Sequence, residues 1–248
     1  MLEQSPAVQS AKDEIINELL KDLPSENAIE VELPSECRVY KLIDPEQGIT
    51  IRPMTFEDEK VLVSANKSED PVNIILNRCV TNINISDILP MDKLYLIMKL
   101  REISYGDDYH TMLICSNCKA ENQTIIKLSQ LNINPVPDDF CEPVVLKLPI
   151  LQKEIKLRYP RVKDEKIFSD PEKSLDQLWR FVLEIDGHTD KSIISAVVNK
   201  LPLRDIRTIL NTLRTDYGVD TNVKFECNSC GGVSVVDLPI TANFFNVN

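Results

Sequence analysis

The chain is 248 residues long, 43% hydrophobic, and carries a formal net charge of −11 with a pI near 4.8. That length is ample for a buried core in one domain or two, and the charge disfavours non-specific binding to a polyanion such as DNA. No apolar run is long enough to span a membrane, and Met1-Leu2-Glu3-Gln4-Ser5-Pro6 lacks the basic and apolar regions of a signal peptide, so the seven cysteines read as thiols or metal ligands in a reducing compartment.

In chain order, residues 7–22 read as an amphipathic helix with Val8, Ala11, Ile15, Ile16, Leu19 and Leu20 on one side. It either packs back on the core or docks on another chain, with Ile15, Ile16, Leu19 and Leu20 as the anchors of a helix-in-groove contact. Residues 23–36 read as an acidic, proline-containing linker, so residues 1–36 stand apart from the rest of the chain.

A first unit is expected over 37–134. It opens on a hairpin, Val39 to Leu42 against Ile49 to Ile51, around the turn Asp44-Pro45-Glu46-Gln47-Gly48. Thr55 then caps a helix with Glu57, Asp58 and Glu59 in its first turn. Further helices are expected near Pro71 to Val80 and over Asp92 to Ser104, the latter stopped by Gly106. Strands Tyr109 to Ile114 and Thr124 to Leu128 flank the motif Cys115-Ser116-Asn117-Cys118.

Asn134 to Asp139 reads as a linker, after which a second unit over 135–248 repeats the plan. Val144 to Leu148 and Ile155 to Arg158 form its hairpin, and Leu175 to Ile185, with the lone tryptophan Trp179, reads as a helix. About six extra residues fall between Asp186-Gly187 and Lys200, where the apolar run Ile193 to Val198 lies. A helix over Leu203 to Thr215 carries the stripe Ile206, Ile209, Leu210 and Leu213 and leads to Cys227-Asn228-Ser229-Cys230. Leu89-Pro90, Tyr105-Gly106, Asp108, Cys115 and Cys118 all recur 112 residues later as Leu201-Pro202, Tyr217-Gly218, Asp220, Cys227 and Cys230. The fold class expected is α+β, an internal duplication of a unit made of hairpin, helices and cysteine-knuckle hairpin.

Each knuckle offers two thiolates, and a structural zinc needs four in a tetrahedron. Cys115, Cys118, Cys227 and Cys230 together supply them, so one structural Zn2+ per chain is expected to join the two units. Four thiolates leave no open coordination position for catalysis, and no helix begins at either motif to make a redox dithiol. Cys37, Cys79 and Cys141 have no partners at metal spacing and read as ordinary thiols. His110 and His188 lie in no recognisable acid–base setting, and six glycines form no phosphate-cradling loop, so neither an enzyme nor a small-molecule substrate is expected. A zinc ribbon that binds nucleic acid is the alternative, but Lys119, Lys127 and Lys224 are diluted by Asp107, Asp108, Glu121 and Glu226.

The run from Ile49-Thr50-Ile51-Arg52-Pro53-Met54-Thr55-Phe56 through Glu57-Asp58-Glu59-Lys60-Val61-Leu62, with the later Leu-Pro helix and Tyr105-Gly106, resembles the baseplate hub and hub-assembly proteins of T-even-type contractile-tailed bacteriophages. The similarity runs from about residue 45 to 130 and is fainter in the second unit. It implies a structural subunit or assembly factor of the tail baseplate hub, located in the virion or in the host cytoplasm during assembly. Its implied partners are other baseplate hub or assembly proteins. No catalytic residue is carried over.

Overall fold

A computed structural model describes residues 12, 14–16, 18–19, 28–64, 70–168, 176–214, 216–240 and 242–245. The fold is mixed α/β. Residues 12, 14–16, 18 and 19 are helical, and Ile15, Ile16 and Leu19 are exposed. Leu20 and the rest of the 7–22 stretch lie outside the described residues.

The first sheet is antiparallel, in the order β1 (Ile29–Val31), β2 (Ile49–Ile51), β3 (Val80–Thr81). The hairpin expected from the sequence does not form. The partner of β2 is β1, with Ile29 opposite Ile51, rather than residues 39–42. The sheet therefore begins inside the stretch read as linker. Residues 34–39 are instead a chain of turns, with Glu36 and Cys37 at φ 52° and 55°, which breaks any ladder. Tyr40 turns inward, and its hydroxyl donates to Asp92.

Between β2 and β3 lie α1 (Phe56–Ser64) and α2 (Pro71–Cys79). Thr55 caps α1 as expected: Asp58 N–H reaches Thr55 Oγ1 at 3.4 Å, and Thr55 N–H reaches Asp58 Oδ2 at 2.9 Å. Asp58 is no solvated helix-end charge, however. It is fully buried, and it takes Arg52 at 2.8 Å and Arg78 at 2.9 Å. After β3, α3 (Pro90–Tyr105) stops at Gly106, whose φ of 94° is positive but whose ψ of 168° is extended rather than helical. Then β4 (Asp108–Ile114) and β5 (Glu121–Lys127) form a hairpin in register, Asp108 opposite Lys127 and Ile114 opposite Glu121. β6 (Ile133–Asn134) comes next.

The second half opens with an antiparallel sheet of β7 (Val144–Lys147), β8 (Glu154–Leu157) and β9 (Val182–Ile185). The helix expected over 175–185 does not run through the described residues 177–185. Leu178–Phe181, which includes Trp179, is a 3-10 turn, and Val182–Ile185 is a strand. A β-branched residue at each end suits the pleat, and Lys156 pairs across it with Glu184 at 2.9 Å. A single turn, α4 (Glu165–Phe168), precedes this. The 193–198 run falls in α5 (Lys191–Val198), followed by α6 (Leu203–Leu213); Thr215 lies outside the described residues. β10 (Gly218–Val219) pairs with β6, and β11 (Asn222–Glu226) pairs with β12 (Val233–Asp237). Gly218, at φ 88°, is pinned twice, since a Cβ there would sit 3.0 Å from Met91 Cβ.

Several contacts recur between halves. The Arg158 guanidinium grips Asp164 at 2.7 and 3.1 Å, as Arg52 grips Asp58 at 2.8 and 3.4 Å. Each arginine also donates to the carbonyl of its own next residue, Pro53 or Tyr159. Near the start of α3, fully buried Asp92 accepts from Ser35 N–H at 3.0 Å. On α6, fully buried Asp205 accepts from Ile150 and Leu151 N–H at 2.8 and 2.9 Å.

The core is less divided than two separate lobes would be. One apolar cluster holds Ile51, Ile75, Leu96 and Leu100 of the first half together with Phe225, Leu238, Phe244 and Phe245. A second cluster is built from Leu148, Ile155, Phe181, Ile194 and Ile209. A third, Leu89, Met91, Val136, Phe140 and Tyr159, sits at the join, so Val136 of the stretch read as a linker is packed. Phe140 stacks on Tyr159 with ring centres 4.7 Å apart.

Candidate metal centre

Two β-hairpins bring four sulfurs together. Cys115 follows β4 and Cys227 follows β11, and each sits where a short turn reverses the chain. In the first turn Cys115 N–H donates to Ala120 O at 3.0 Å and Lys119 N–H to Cys115 O at 3.0 Å. In the second turn Cys227 N–H donates to Gly232 O at 3.0 Å and Gly231 N–H to Cys227 O at 2.9 Å. Both turns need a positive φ at the position after the second cysteine: 62° at Lys119 and 66° at Gly231. Glycine takes that conformation without strain, lysine does not.

The four Sγ atoms of Cys115, Cys118, Cys227 and Cys230 lie within 4.8 Å of one another. Cys115 is 3.8 Å from Cys230, and Cys118 is 3.6 Å from Cys227. A tetrahedral zinc with Zn–S near 2.3 Å has sulfurs about 3.8 Å apart. The donor set therefore fits such an ion in number, chemistry and spacing. Cys115 and Cys227 are buried while Cys118 and Cys230 are exposed, so a bound ion would lie at the rim of the core.

Two side chains that the sequence reading passed over hold the cluster. Asn122 on β5 accepts from Asn228 N–H at 2.8 Å through Oδ1, and its Nδ2 reaches Cys227 Sγ at 3.5 Å and Ala120 O at 2.9 Å. Ser234 on β12 accepts from Ser116 N–H at 3.1 Å, and its Oγ lies 3.4 Å from Cys115 Sγ. Each reaches from its own hairpin to the opposite knuckle, and both are buried, at 2% and 1% exposure. The two positions are 112 residues apart, the same spacing as the cysteines. That spacing was the available signal, hidden because Asn and Ser are not the same residue.

These donors shape the thiols. Backbone N–H of Cys118 and the Ser234 hydroxyl hold Cys115 down to about 6, despite burial. Ser229 N–H lowers Cys227 in the same way. Cys230 receives the Gly232 N–H, yet its neighbouring thiols push it up to about 12, because sulfurs this close cannot all carry charge without a cation. The Gly232 N–H is thus turned toward sulfur, whereas the Gly231 N–H serves the Cys227 carbonyl.

The other cysteines stay apart from this set. Burial raises Cys37 and Cys79 to about 11, and Cys141 is exposed. His110 and His188 are both exposed. No helix of the described residues is long and apolar enough to cross a membrane.

No curated protein and no solved structure matches the chain. A family model described as T4 bacteriophage base plate protein matches residues 29–246. That span takes in both three-stranded sheets, both cysteine-bearing hairpins and all four clustered cysteines; the chain belongs to the T4 bacteriophage base plate protein family and is a structural assembly component, not an enzyme.

Proposed function

We propose that this protein is a baseplate hub subunit or hub-assembly factor that acts through protein–protein contacts, its fold closed by one structural zinc per chain. The observation that carries the reading is the four-sulfur cluster shared between two hairpins in a chain of the baseplate family. Zinc bound by Cys115, Cys118, Cys227 and Cys230 would tie β4–β5 to β11–β12, and structural zinc of this kind contributes on the order of 10–16 kcal/mol of binding free energy.

The chain is also read as an internal duplication. The recurring Arg–Asp grips, the paired Asp92 and Asp205, the positive φ at Lys119 and Gly231, and the reciprocal Asn122 and Ser234 support it. The α3 and α6 starts show a one-residue slip: Leu89 caps one helix, whereas Pro202 caps the other. The first unit then starts at β1 rather than at residue 37.

The N-terminal helix is the docking element. Ile15, Ile16 and Leu19 present apolar surface that the core does not cover, and Leu20 extends the stripe in sequence. Other baseplate hub or assembly proteins are its partners, in the virion or in the host cytoplasm during assembly. Deleting residues 1–24 tests this. Co-purification of the partner should be lost while the melting temperature is unchanged; a large fall in melting temperature with partner binding intact would overturn it.

A further inference from the structure

A cavity of about 240 Å3 opens between the 3-10 turn at Trp179, strand β9 and the start of α5, lined by Arg158, Trp179, Arg180, Leu183, Lys191 and Ile194 among others. Among the described residues every charged side chain on its wall is cationic, in a chain of net charge −11. Three acids close to it in the described residues are already engaged. Asp164 is held by Arg158, Glu184 by Lys156, and Asp190 caps α5 through Ser192 and Ile193 N–H. Arg180 donates through Nε to Gln177 and lies over the Trp179 ring, with its centroid 5.3 Å away. Neither Arg180 nor Lys191 has an ion-pair partner among the described residues.

The apolar part is partly uncovered. On the cavity wall Leu183 is 41% exposed, while Ile194 forms the buried floor at 1%. β9 is the edge strand of its sheet, and beyond β8 it makes only the bridge of Ile185 to His188 among the described residues. The volume is below the roughly 300–1,000 Å3 of small-molecule sites, and suits one or two side chains better than a nucleotide. An exposed apolar rim is unsuited to a nucleic-acid backbone. Two cations beside an indole that have no ion-pair partner among the described residues, with Leu183 at the rim, complement a carboxylate flanked by an apolar side chain.

We propose that this cavity is a docking site for an acidic segment of a partner protein. One Glu or Asp carboxylate lies between Arg180 and Lys191, and the neighbouring apolar side chain lies against Trp179. The proposal rests on the assembly reading only in taking the partner to be a protein, and it is independent of residues 1–24, so each can fail alone.

Trp179 is the chain's only tryptophan, so its emission reports the cavity directly. The full chain is titrated with the blocked pentapeptide Gly-Glu-Leu-Glu-Gly, with the same peptide carrying Gln for Glu, and with inorganic phosphate. The acidic peptide should give a saturable change that weakens with salt, and the Gln peptide none. Lys191→Glu and Arg180→Glu should each weaken binding by about tenfold or more with unchanged circular dichroism; if one fails to fold, the other decides. No saturable change, equal binding of the Gln peptide, unaltered affinity in a folded variant, or tighter binding of phosphate than of the acidic peptide would each overturn the proposal.

Discussion

Replacing Asn122 with alanine removes no sulfur yet should loosen the metal. The amide accepts from Asn228 N–H at 2.8 Å and points Nδ2 at Cys227 Sγ, 3.5 Å away. Groups that orient a ligand in this way are typically worth about 10–100-fold in metal affinity, or roughly 1.4–2.7 kcal/mol at 1.4 kcal/mol per tenfold. The fold itself should lose about 1 kcal/mol, the low end for an unsatisfied group, because Asn228 is exposed and water can replace the amide. Ser234→Ala should behave alike, since it strips the matching contacts from Ser116 N–H and Cys115 Sγ. The assay is competition for zinc with a chromogenic chelator on the full chain at fixed pH. Wild-type affinity in both variants would refute the view that these residues position the cluster.

Other consequences can be checked separately. Lys119→Gly relieves a positive φ that Gly231 occupies without strain, and should raise stability by up to about 1 kcal/mol in chemical denaturation; a loss of stability would contradict the turn geometry. Burial alone would raise the Asp58 pKa, but Arg52 and Thr55 hold it down to about 2, below an unfolded value near 3.9. Its stabilisation is therefore complete above about pH 4 and lost as the pH falls toward 2. Wild type minus Asp58→Asn should show that fall between pH 4 and 2, and a flat difference would count against it. Phe244 is fully buried against Tyr109, and its carbonyl accepts from Arg101 Nε at 3.0 Å. Phe244→Ala should cost about 3–5 kcal/mol by urea melt; less than 1 kcal/mol would mean that the C-terminal turn does not anchor the core.

The site was legible in the sequence because its signal is local. A Cys-x-x-Cys turn needs only four residues, and its recurrence at a fixed spacing points to a shared cluster, which the sulfur positions bear out at the level of a common four-cysteine group. The family resemblance read at Ile49 to Leu62 is likewise borne out. Helices α1, α2, α3 and α6 carry caps, stops and stripes that can be read one turn at a time. The misreadings concern pairings made at a distance. Val182-Leu183-Glu184-Ile185 contains residues that suit either helix or strand, and only the free edge of β8 decides between them. Val39-Tyr40-Lys41-Leu42 has the apolar and aromatic content of a strand, yet Ile29–Val31 takes the place beside β2 and Tyr40 is drawn to Asp92. Asn122 and Ser234 lie far from each knuckle they serve, so nothing near Cys227 or Cys115 announces them.

Whether one metal is held jointly by both hairpins is decided by metal analysis together with native mass spectrometry under reducing conditions. One zinc per chain is expected, with Cys115→Ser and Cys227→Ser each lowering occupancy and destabilising the fold. Two tightly bound zincs per chain, or none in the reduced wild type, would contradict it.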